Sequence, residues 1–343
     1  MKKLLNTLFV TTADTYLALD GENVVVKKDG DVLKRYPLHN LEAICTFGYV
    51  GASPALMGHC AERNVALTFM TQSGRFLARV TGEDRGNVLL RKEQYRISDD
   101  DTRSVKAARN FVFGKVYNSK WILERATRDY PLRLDVTQLK RITASLSETL
   151  KLVRDVKNLD SLRGMEGTAA AQYFSAFDDL ILQQKDIFVF RGRSKRPPTD
   201  CVNALLSFGY TLLAHETRSA LETVGLDPYV GFMHRDRPGR ASLALDIMEE
   251  LRGVYADRLV LSLINKKMVN SNGFLTKENG AVVMNPDARK QVLTAWQEKK
   301  QETIVHPYLQ EKISWGLVPY AQALLLARYI RGDLDEYPPF LWK

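Results

Sequence analysis

The stretch Gly82-Glu83-Asp84-Arg85-Gly86 separates two parts of the sequence that have different patterns of apolar residues. Before it, short runs rich in β-branched residues alternate with turn signals, which is typical of strands and hairpins. After about Asp101, apolar residues recur at the spacing of amphipathic helices almost to the end of the chain. The sequence therefore predicts a multidomain α+β protein: an N-terminal β-rich domain over 1–85, a linker over 86–100, and a larger, mostly α-helical domain over 101–343.

Turn signals define the hairpins of the β-rich domain. Asp20-Gly21 and Asp29-Gly30 supply the positive-φ positions that tight hairpins need. Ser53 and Pro54 indicate the N-cap and the first residue of one short helix, and Ser73-Gly74-Arg75 predicts a further hairpin turn. The predicted strands cover 4–10, 15–19, 23–27, 32–37, 43–47 and 66–71.

The second part of the chain reads as a series of helices, predicted at 105–117, 120–128, 136–156, 167–178, 202–224, 243–251 and 256–268. Asn279-Gly280 predicts a type I′ turn between short strands, and Asn285-Pro286 indicates the start of another helix. No internal repeat, Gly-rich phosphate loop, GxSxG or HExxH motif occurs, which excludes the enzyme classes that those motifs mark.

The charge of the chain points toward a polyanion. The net charge is +9 with a pI near 9.3, and residues 101–164 contain fourteen Lys or Arg against seven Asp or Glu. Such a concentration favours nucleic acid as a partner, and a solvated helical surface explains it equally well. The three cysteines form no CxxC pair, so neither a zinc site nor a disulfide framework is expected. No apolar run is long enough to span a bilayer, and we expect a cytoplasmic protein.

Of the five histidines, only His234 has neighbours that suggest chemistry. It lies in a Gly- and Pro-containing loop with three arginines, just before a helix capped by Ser242. Asp246 and Glu249 are neighbours on one face of that helix. Carboxylates soon after a histidine and three arginines suggest a metal centre with phosphate-binding cations beside it, although a carboxylate in mid-helix is more often simply solvated.

Glu166 is the third candidate ligand. It lies between Gly164 and Gly167 at the predicted start of a helix, where small neighbours would let a substrate approach. The alternative is a glutamate that only stabilises the helix dipole. Two carboxylates and one imidazole suit Mg²⁺ or Mn²⁺, and such an ion serves phosphodiester transfer. The spacing of the three residues does not by itself show that they converge.

Several strings of the sequence, in this order, resemble one known family. They are GMEG (164–167) with the Ala-rich helix ending at Tyr173-Phe174, PPTDCVNALLSFGY (197–210), GLDPYVGFMH (225–234), GRASLALD (239–246) and ADRLVLSLIN (256–265). The chain resembles the CRISPR-associated endonuclease/integrase, the larger of the two proteins that most CRISPR systems share for acquiring new spacers, and looks most like the type I-C version.

This resemblance implies that Glu166, His234 and an acid on the following helix are the catalytic residues and bind Mg²⁺ or Mn²⁺. In some members of the family that acid is an aspartate at a slightly shorter interval, so Asp246 competes with Glu249. The Leu-Asp-x-Met-Glu-Glu form of this chain favours Glu249, with Asp246 as an alternate ligand or a residue that orients the ligands.

The resemblance also implies a function and partners. The protein would insert captured double-stranded DNA fragments as spacers into the CRISPR repeat by phosphodiester transesterification. It would act as a homodimer formed through the β-rich domain, with a dimer of a small ferredoxin-like partner. The alternatives are a non-catalytic nucleic-acid scaffold and a structure-specific nuclease that acts on branched DNA.

Basic residues near the predicted site are candidates for contact with DNA phosphates, and for each of them a solvated loop cation is the alternative. They are Arg235, Arg237, Arg240, Arg191, Arg193, Lys195 and Arg196. Asn203 and Tyr173 are candidates to line the site, and both could equally be structural polar groups.

Overall fold

The computed structural model describes residues 6–72, 76–82 and 87–343. Within these residues, one unit consists of the chain up to position 82 together with Met284–Glu302, and the other of residues 87–283 and Thr303–Lys343. The start of the predicted first strand, the predicted turn at Ser73-Gly74-Arg75 and residues 83–86 of the boundary stretch lie outside the described residues. A strand-rich region followed by a helical region confirms the predicted α+β class.

The strands of the first unit are β1 (Thr7–Val10), β2 (Thr15–Asp20), β3 (Asn23–Lys28), β4 (Asp31–Pro37), β5 (Ala43–Phe47), β6 (Gly51–Ala52), β7 (Ala66–Met70) and β8 (Phe76–Arg79). β2, β3 and β4 pair antiparallel, and the turns between them contain Gly21, Asp29 and Gly30 at positive φ, which confirms the predicted hairpins. One sheet has the order β4-β3-β2-β6 and another the order β1-β5-β7-β8.

The core of the first unit lies between these strands and helix α1 (Pro54–Glu62). Leu17, Ile44, Leu56 and Leu67 are fully buried in one apolar cluster. The hydroxyl of Ser53 accepts a hydrogen bond from the Leu56 amide at 3.2 Å, so the predicted N-cap is confirmed.

Helices dominate the second unit. They are α2 (Val88–Ser98), α3 (Asp101–Asp129), α4 (Val136–Val153), α5 (Leu159–Ser175), α6 (Cys201–Val224), α7 (Ser242–Leu251), α8 (Arg258–Asn265) and, after helix α9 (Pro286–Gln301), α10 (Val318–Arg331). Short strand pairs are β9 (Phe274–Thr276) with β10 (Val282–Met284), as predicted, and β11 (Thr303–Val305) with β12 (Lys312–Ser314). None of the described helices combines the length and the apolar character that crossing a membrane would require.

Two predictions about α2 and α3 differ from the structure. The stretch predicted as a linker contains α2, whose Gln94 side chain donates to the Asp227 and Val230 carbonyls at 2.7 and 2.8 Å, so this helix is part of the second unit. The predicted break near residue 118 is absent from the described α3, because Asn118 is buried and donates to the Glu250 and Phe340 carbonyls at 2.7 Å each. Asn118 therefore uses its polar side chain to bond distant parts of the chain, and the helix continues through it.

Helix α9 belongs to the first unit, although its sequence position predicted the helical domain. Its Lys300 ammonium donates to the Thr7 hydroxyl at 3.2 Å, and its Arg289 guanidinium lies 5.9 Å from the centre of the Phe47 ring. Trp296 is fully buried. These partners are far away in sequence, so no local pattern could reveal them.

A π-helical turn over Arg252–Asp257 joins α7 to α8. The sequence predicted a helix over 256–268, whereas helical structure continues from α7 and α8 ends at Asn265. Wide turns of this kind are rare and concentrate at functional sites. This one directly follows the helix that carries Asp246 and Glu249.

Candidate functional site

A buried aspartate holds the loop that carries His234. Asp246 on α7 is fully buried, and its Oδ2 accepts hydrogen bonds from the backbone amides of Phe232 and Met233 at 2.6 and 2.9 Å. Its Oδ1 accepts a third from the His234 amide at 3.0 Å. Three amides bonded to one carboxylate fix the conformation of this loop relative to α7.

The same carboxylate orients the imidazole. Asp246 Oδ1 lies 2.6 Å from His234 Nδ1. Because an ionised carboxylate only accepts hydrogen bonds, Nδ1 carries the proton and the lone pair of a neutral ring is on Nε2. Nε2 lies 4.0 Å from Oε1 of Glu249. His234 thus presents a potential ligand atom toward the predicted carboxylate.

The loop approaches α7 so closely that it requires glycine at position 231. A Cβ atom on Gly231 would lie 2.8 Å from Cβ of Ser242 and 2.9 Å from Oδ2 of Asp246. Ser242 was predicted as the N-cap of this helix. Instead it is the first helical residue, without a side-chain cap, and its hydroxyl donates to the Arg235 carbonyl at 3.2 Å.

Glu249 is buried between cations. Its side chain is 3% exposed; Oε1 lies 3.1 Å from Arg252 Nη2 and Oε2 lies 2.7 Å from Lys115 Nζ. Burial raises the pKa of Glu249, but the Arg252 guanidinium and the Lys115 ammonium together outweigh it and lower the pKa to about 2. The carboxylate is therefore charged at neutral pH.

Glu166 reaches the same ammonium from α5. The Lys115 ammonium on α3 donates to Oε1 of Glu166 as well as contacting Glu249, so it bridges the two carboxylates. Burial lowers the pKa of Lys115, yet Glu249 and Glu166 raise it by more, and the net shift is upward. Glu166, Lys115, Glu249 and His234 thus form one connected cluster.

The local setting of Glu166 differs from the prediction. α5 begins at Leu159 after the N-cap Asn158, so Glu166 lies well inside the helix and is not at its start. The interaction with the helix dipole is therefore not its role. Arg163, on the same helix, donates to the Met233 carbonyl at 2.6 and 2.9 Å and ties α5 to the loop of His234.

The donors of this cluster suit a hard divalent cation, because they are two carboxylates and one imidazole. Within the described residues, no three His, Cys, Asp or Glu side chains are placed to hold a metal ion, and the Lys115 ammonium contacts both Glu166 and Glu249. The ammonium shows that a positive charge is stabilised where the two carboxylates meet. In the described structure Oε2 of Glu249 is buried, and its ion pair with Lys115 is not accompanied by a hydrogen bond of good geometry. The residues therefore fit Mg²⁺ or Mn²⁺.

The three arginines after His234 have different surroundings. Arg235 is exposed and pairs with Asp160 at 3.2 Å, and Arg237 is exposed. Arg240 instead donates to the Arg235 carbonyl and to the Ser242 hydroxyl, the latter at 3.3 Å. The first two guanidinium groups are accessible to a ligand, whereas the third braces the loop.

The basic loop between α5 and α6 is organised by Asn203. Its buried amide donates to the Gly192 carbonyl at 2.8 Å and accepts from the Ser194 amide at 3.1 Å and from Arg193. Asn203 is thus a structural residue of the loop. Arg191, Lys195 and Arg196 are exposed.

Lys195 lies within electrostatic range of the carboxylate cluster. The Lys195 side chain is exposed as a whole, but partial burial of its amine lowers its pKa, as do the guanidinium groups of Arg252 and Arg193, while Glu249 has the opposite effect. Lys195 thus adds to the positive charge around Glu249.

Tyr173 does not project into the cluster as a free hydroxyl. It is buried, and its OH donates to Oδ2 of Asp257 at 3.1 Å, while the Tyr210 OH donates to Oδ1 at 2.6 Å. Burial raises the pKa of Asp257 to about 6, against the effect of the two hydroxyls. Arg252 lies over the Tyr210 ring, 5.1 Å from its centre, so this buried group supports the guanidinium that pairs with Glu249.

Sequence reasoning missed Lys115 and Arg252. Arg252 stands at i+3 from Glu249, a spacing at which helical ion pairs form, so a signal existed for it. Lys115 had none, because it is one of many basic residues on a long helix and its partners come from other helices.

Comparison with known proteins places this architecture in one family. The family model described as CRISPR associated protein Cas1 matches residues 8–298. A CRISPR-associated endonuclease Cas1 from Chlorobaculum tepidum is 51% identical over 343 residues, 100% of both chains. A casposase bound to integration product has a TM-score of 0.82 at 23% identity, over 98% of this chain and 93% of that chain.

A chain of a Cas6-RT-Cas1–Cas2 complex has a TM-score of 0.81 at 23% identity, over 98% of this chain and 36% of that chain. At this identity the two solved structures show a shared fold. The family model and the relative from Chlorobaculum tepidum go further, because they match the sequence over most or all of its length. This chain therefore belongs to the Cas1 family of CRISPR-associated proteins, as its sequence strings predicted.

Proposed function

We propose that this chain is a metal-dependent DNA endonuclease and integrase of CRISPR adaptation. It would insert captured DNA fragments as spacers into the repeat array by phosphodiester transesterification. The observation that carries the proposal is that Glu166 and Glu249 meet at one buried ammonium group, with His234 Nε2 4.0 Å from Oε1 of Glu249. The family supports it: the relative is named an endonuclease, and the casposase neighbour is bound to an integration product.

We assign Glu166, His234 and Glu249 as the ligands of Mg²⁺ or Mn²⁺. Asp246 is the poorer candidate, because its two oxygens already accept four hydrogen bonds. Its role is to keep the proton of His234 on Nδ1, so that Nε2 can bind the ion. When bound, the ion would polarise the phosphoryl oxygen and stabilise the charge on the attacking and departing 3′ oxygens.

The cations around the cluster would stabilise the negative charge of a bound phosphate. Lys195 lies close enough to be influenced by Arg252, Arg193 and Lys115, and Arg252 influences Lys115, so these four cations outnumber the two carboxylates of Glu166 and Glu249. This excess of positive charge suits a phosphodiester, since its negative charge grows in the transition state. Arg235 and Arg237, which are exposed beside His234, would contact DNA farther from the reacting phosphorus.

The reaction needs no protein nucleophile. The 3′-hydroxyl of the captured fragment would attack the phosphorus at the edge of the repeat. A new phosphodiester forms, the bond from that phosphorus to the 3′ oxygen of the repeat breaks, and the departing oxygen takes up a proton. One bond replaces another, so the exchange requires no external energy source.

The partners that we propose are those that the resemblance to the family implies. They are double-stranded DNA fragments and the CRISPR repeat, a second copy of this chain bound through the strand-rich unit, and a dimer of a small ferredoxin-like protein. The neighbour described as a Cas6-RT-Cas1–Cas2 complex supports assembly with another CRISPR-associated protein. The type I-C subtype rests on the sequence strings alone.

Strand transfer tests the proposal. Glu166→Gln and His234→Ala should each reduce joining of a labelled fragment to a repeat-containing plasmid by more than the roughly 10–100-fold that losing an orienting group costs. Asp236→Asn, at an exposed position of the same loop, is the matched control and should remain active. Full activity in both site variants would refute the metal centre. Cleavage of branched DNA without any strand transfer would favour the structure-specific nuclease.

A further inference from the structure

We propose that the Lys115 ammonium and the divalent cation are alternative occupants of the Glu166–Glu249 carboxylate pair, so that Lys115 must leave before the ion binds. This inference rests on the proposed function, since it concerns the same two ligands. It assigns to Lys115 a role in controlling when the site takes up its metal.

The geometry makes simultaneous occupancy unfavourable. The ammonium contacts Oε1 of Glu166 and lies 2.7 Å from Oε2 of Glu249, and these side chains would supply the carboxylate ligands. Magnesium binds such oxygens at about 2.0–2.1 Å in near-octahedral geometry. The ammonium, in contact with both carboxylates, occupies the place between them that the ion would need, and the described residues contain no ready metal cluster.

The charge balance favours exchange of one cation for the other. Lys115 and Arg252 together neutralise Glu166 and Glu249. A divalent ion added to this cluster would leave two uncompensated positive charges in a poorly solvated place. Release of the ammonium removes one of them. Lysine suits this movement, because its ammonium is a point charge on a flexible four-carbon stem, whereas Arg252 lies against the Tyr210 ring.

A bound phosphodiester would favour the exchange further. The released ammonium would find a new anionic partner in the DNA backbone, near Lys195 and Arg193. DNA should then increase the affinity for the metal, and by linkage the metal should increase the affinity for DNA to the same extent. The site would remain closed to the ion until its substrate arrives.

Mn²⁺ binding to the full-length protein, measured by calorimetry without DNA, tests the exchange. Lys115→Met should bind Mn²⁺ about tenfold more tightly than the wild type, within the usual range of coupling between sites. Lys115→Arg, which retains the charge, should not bind it more tightly. A matched surface variant, Lys151→Met, removes an exposed lysine paired with Glu148 and should bind as the wild type does. Equal affinity in Lys115→Met and the wild type would overturn the inference.

A second measurement uses only the wild-type protein, in case Lys115→Met does not fold. Reductive methylation followed by mass spectrometry should show faster labelling of Lys115 when Mn²⁺ is present. Lys300, a buried lysine bonded to Thr7, is the internal control and should not change. Unchanged labelling of Lys115 at saturating Mn²⁺ would overturn the inference. If Glu166→Gln binds Mn²⁺ as tightly as the wild type, the proposed metal site itself fails.

Discussion

Asp246→Asn replaces one carboxylate oxygen by an amide nitrogen at a side chain whose two oxygens each accept two hydrogen bonds. Whichever way the amide turns, its NH₂ group faces two donors: either the amides of Phe232 and Met233, or the amide and Nδ1 of His234. A hydrogen bond to a charged group contributes about 1.5–3 kcal/mol. The loss of two should therefore lower the free energy of unfolding by roughly 3–6 kcal/mol.

The same substitution should also disturb the imidazole. If the NH₂ group faces Nδ1, His234 shifts to the tautomer that carries its proton on Nε2 and loses its free lone pair there. Strand transfer should then fall about 10–100-fold. Urea unfolding followed by circular dichroism gives the stability, and Asp236→Asn on the exposed part of the loop is the control. A loss below about 1 kcal/mol, with wild-type strand transfer, would show that Asp246 neither holds the loop nor orients His234.

Further predictions concern backbone space and a buried acid. Gly231→Ala should destabilise the protein by about 1–3 kcal/mol in urea unfolding, because its Cβ would lie within 3 Å of Ser242 and Asp246. Gly167→Ala should instead stabilise it by about 0.5–1 kcal/mol, since this helical position has open space; a loss of strand transfer there would indicate that DNA approaches the glycine. The pKa of Asp257 is raised from 3.8 to about 6. The unfolded chain therefore releases this proton at lower pH, and stability should fall by up to about 3 kcal/mol as pH rises from 4 to 6. Asp257→Asn should lack that fall in urea unfolding between pH 4 and 7, and parallel curves for the two proteins would contradict the prediction.

The hairpins were the most predictable part of the fold because their information is local. β3 was predicted over 23–27 and spans Asn23–Lys28, and β5 was predicted at its observed bounds, Ala43–Phe47. A turn such as Asp29-Gly30 determines which strands pair and in what register. The parallel pairing of β1, β5 and β7 and the place of α9 in the first unit depend on distant residues, so periodicity could not supply them.

The sequence predicted which residue types would be the candidate ligands of the site, but not the cations that lie among them. Glu166, His234 and Glu249 lie in one connected cluster, which the family resemblance implied and their spacing did not show, and their role as metal ligands stays a prediction. The cations among them could not be chosen from the sequence, because Lys115 differs from other lysines of α3 only in what lies opposite to it in space. Asn203 and Tyr173 were candidates to line the site, yet their polar groups bond to the loop and to Asp257.

Helix α7 shows how one acid-rich string is divided among three structural tasks. Asp246 and Glu249 lie near one face, where the first bonds the loop of His234 and the second faces Lys115 and Arg252. Glu250 points elsewhere because a helix turns by about 100° per residue. Its carboxyl group accepts from the Gln322 amide at 2.9 Å and from the Phe340 amide at 2.7 Å. Burial raises its pKa to about 7, in spite of these bonds. Glu249 and Glu250 are thus adjacent and chemically identical, but cations keep the first ionised while the second anchors the C-terminal segment, so exchanging their roles would require different partners on both faces of the helix.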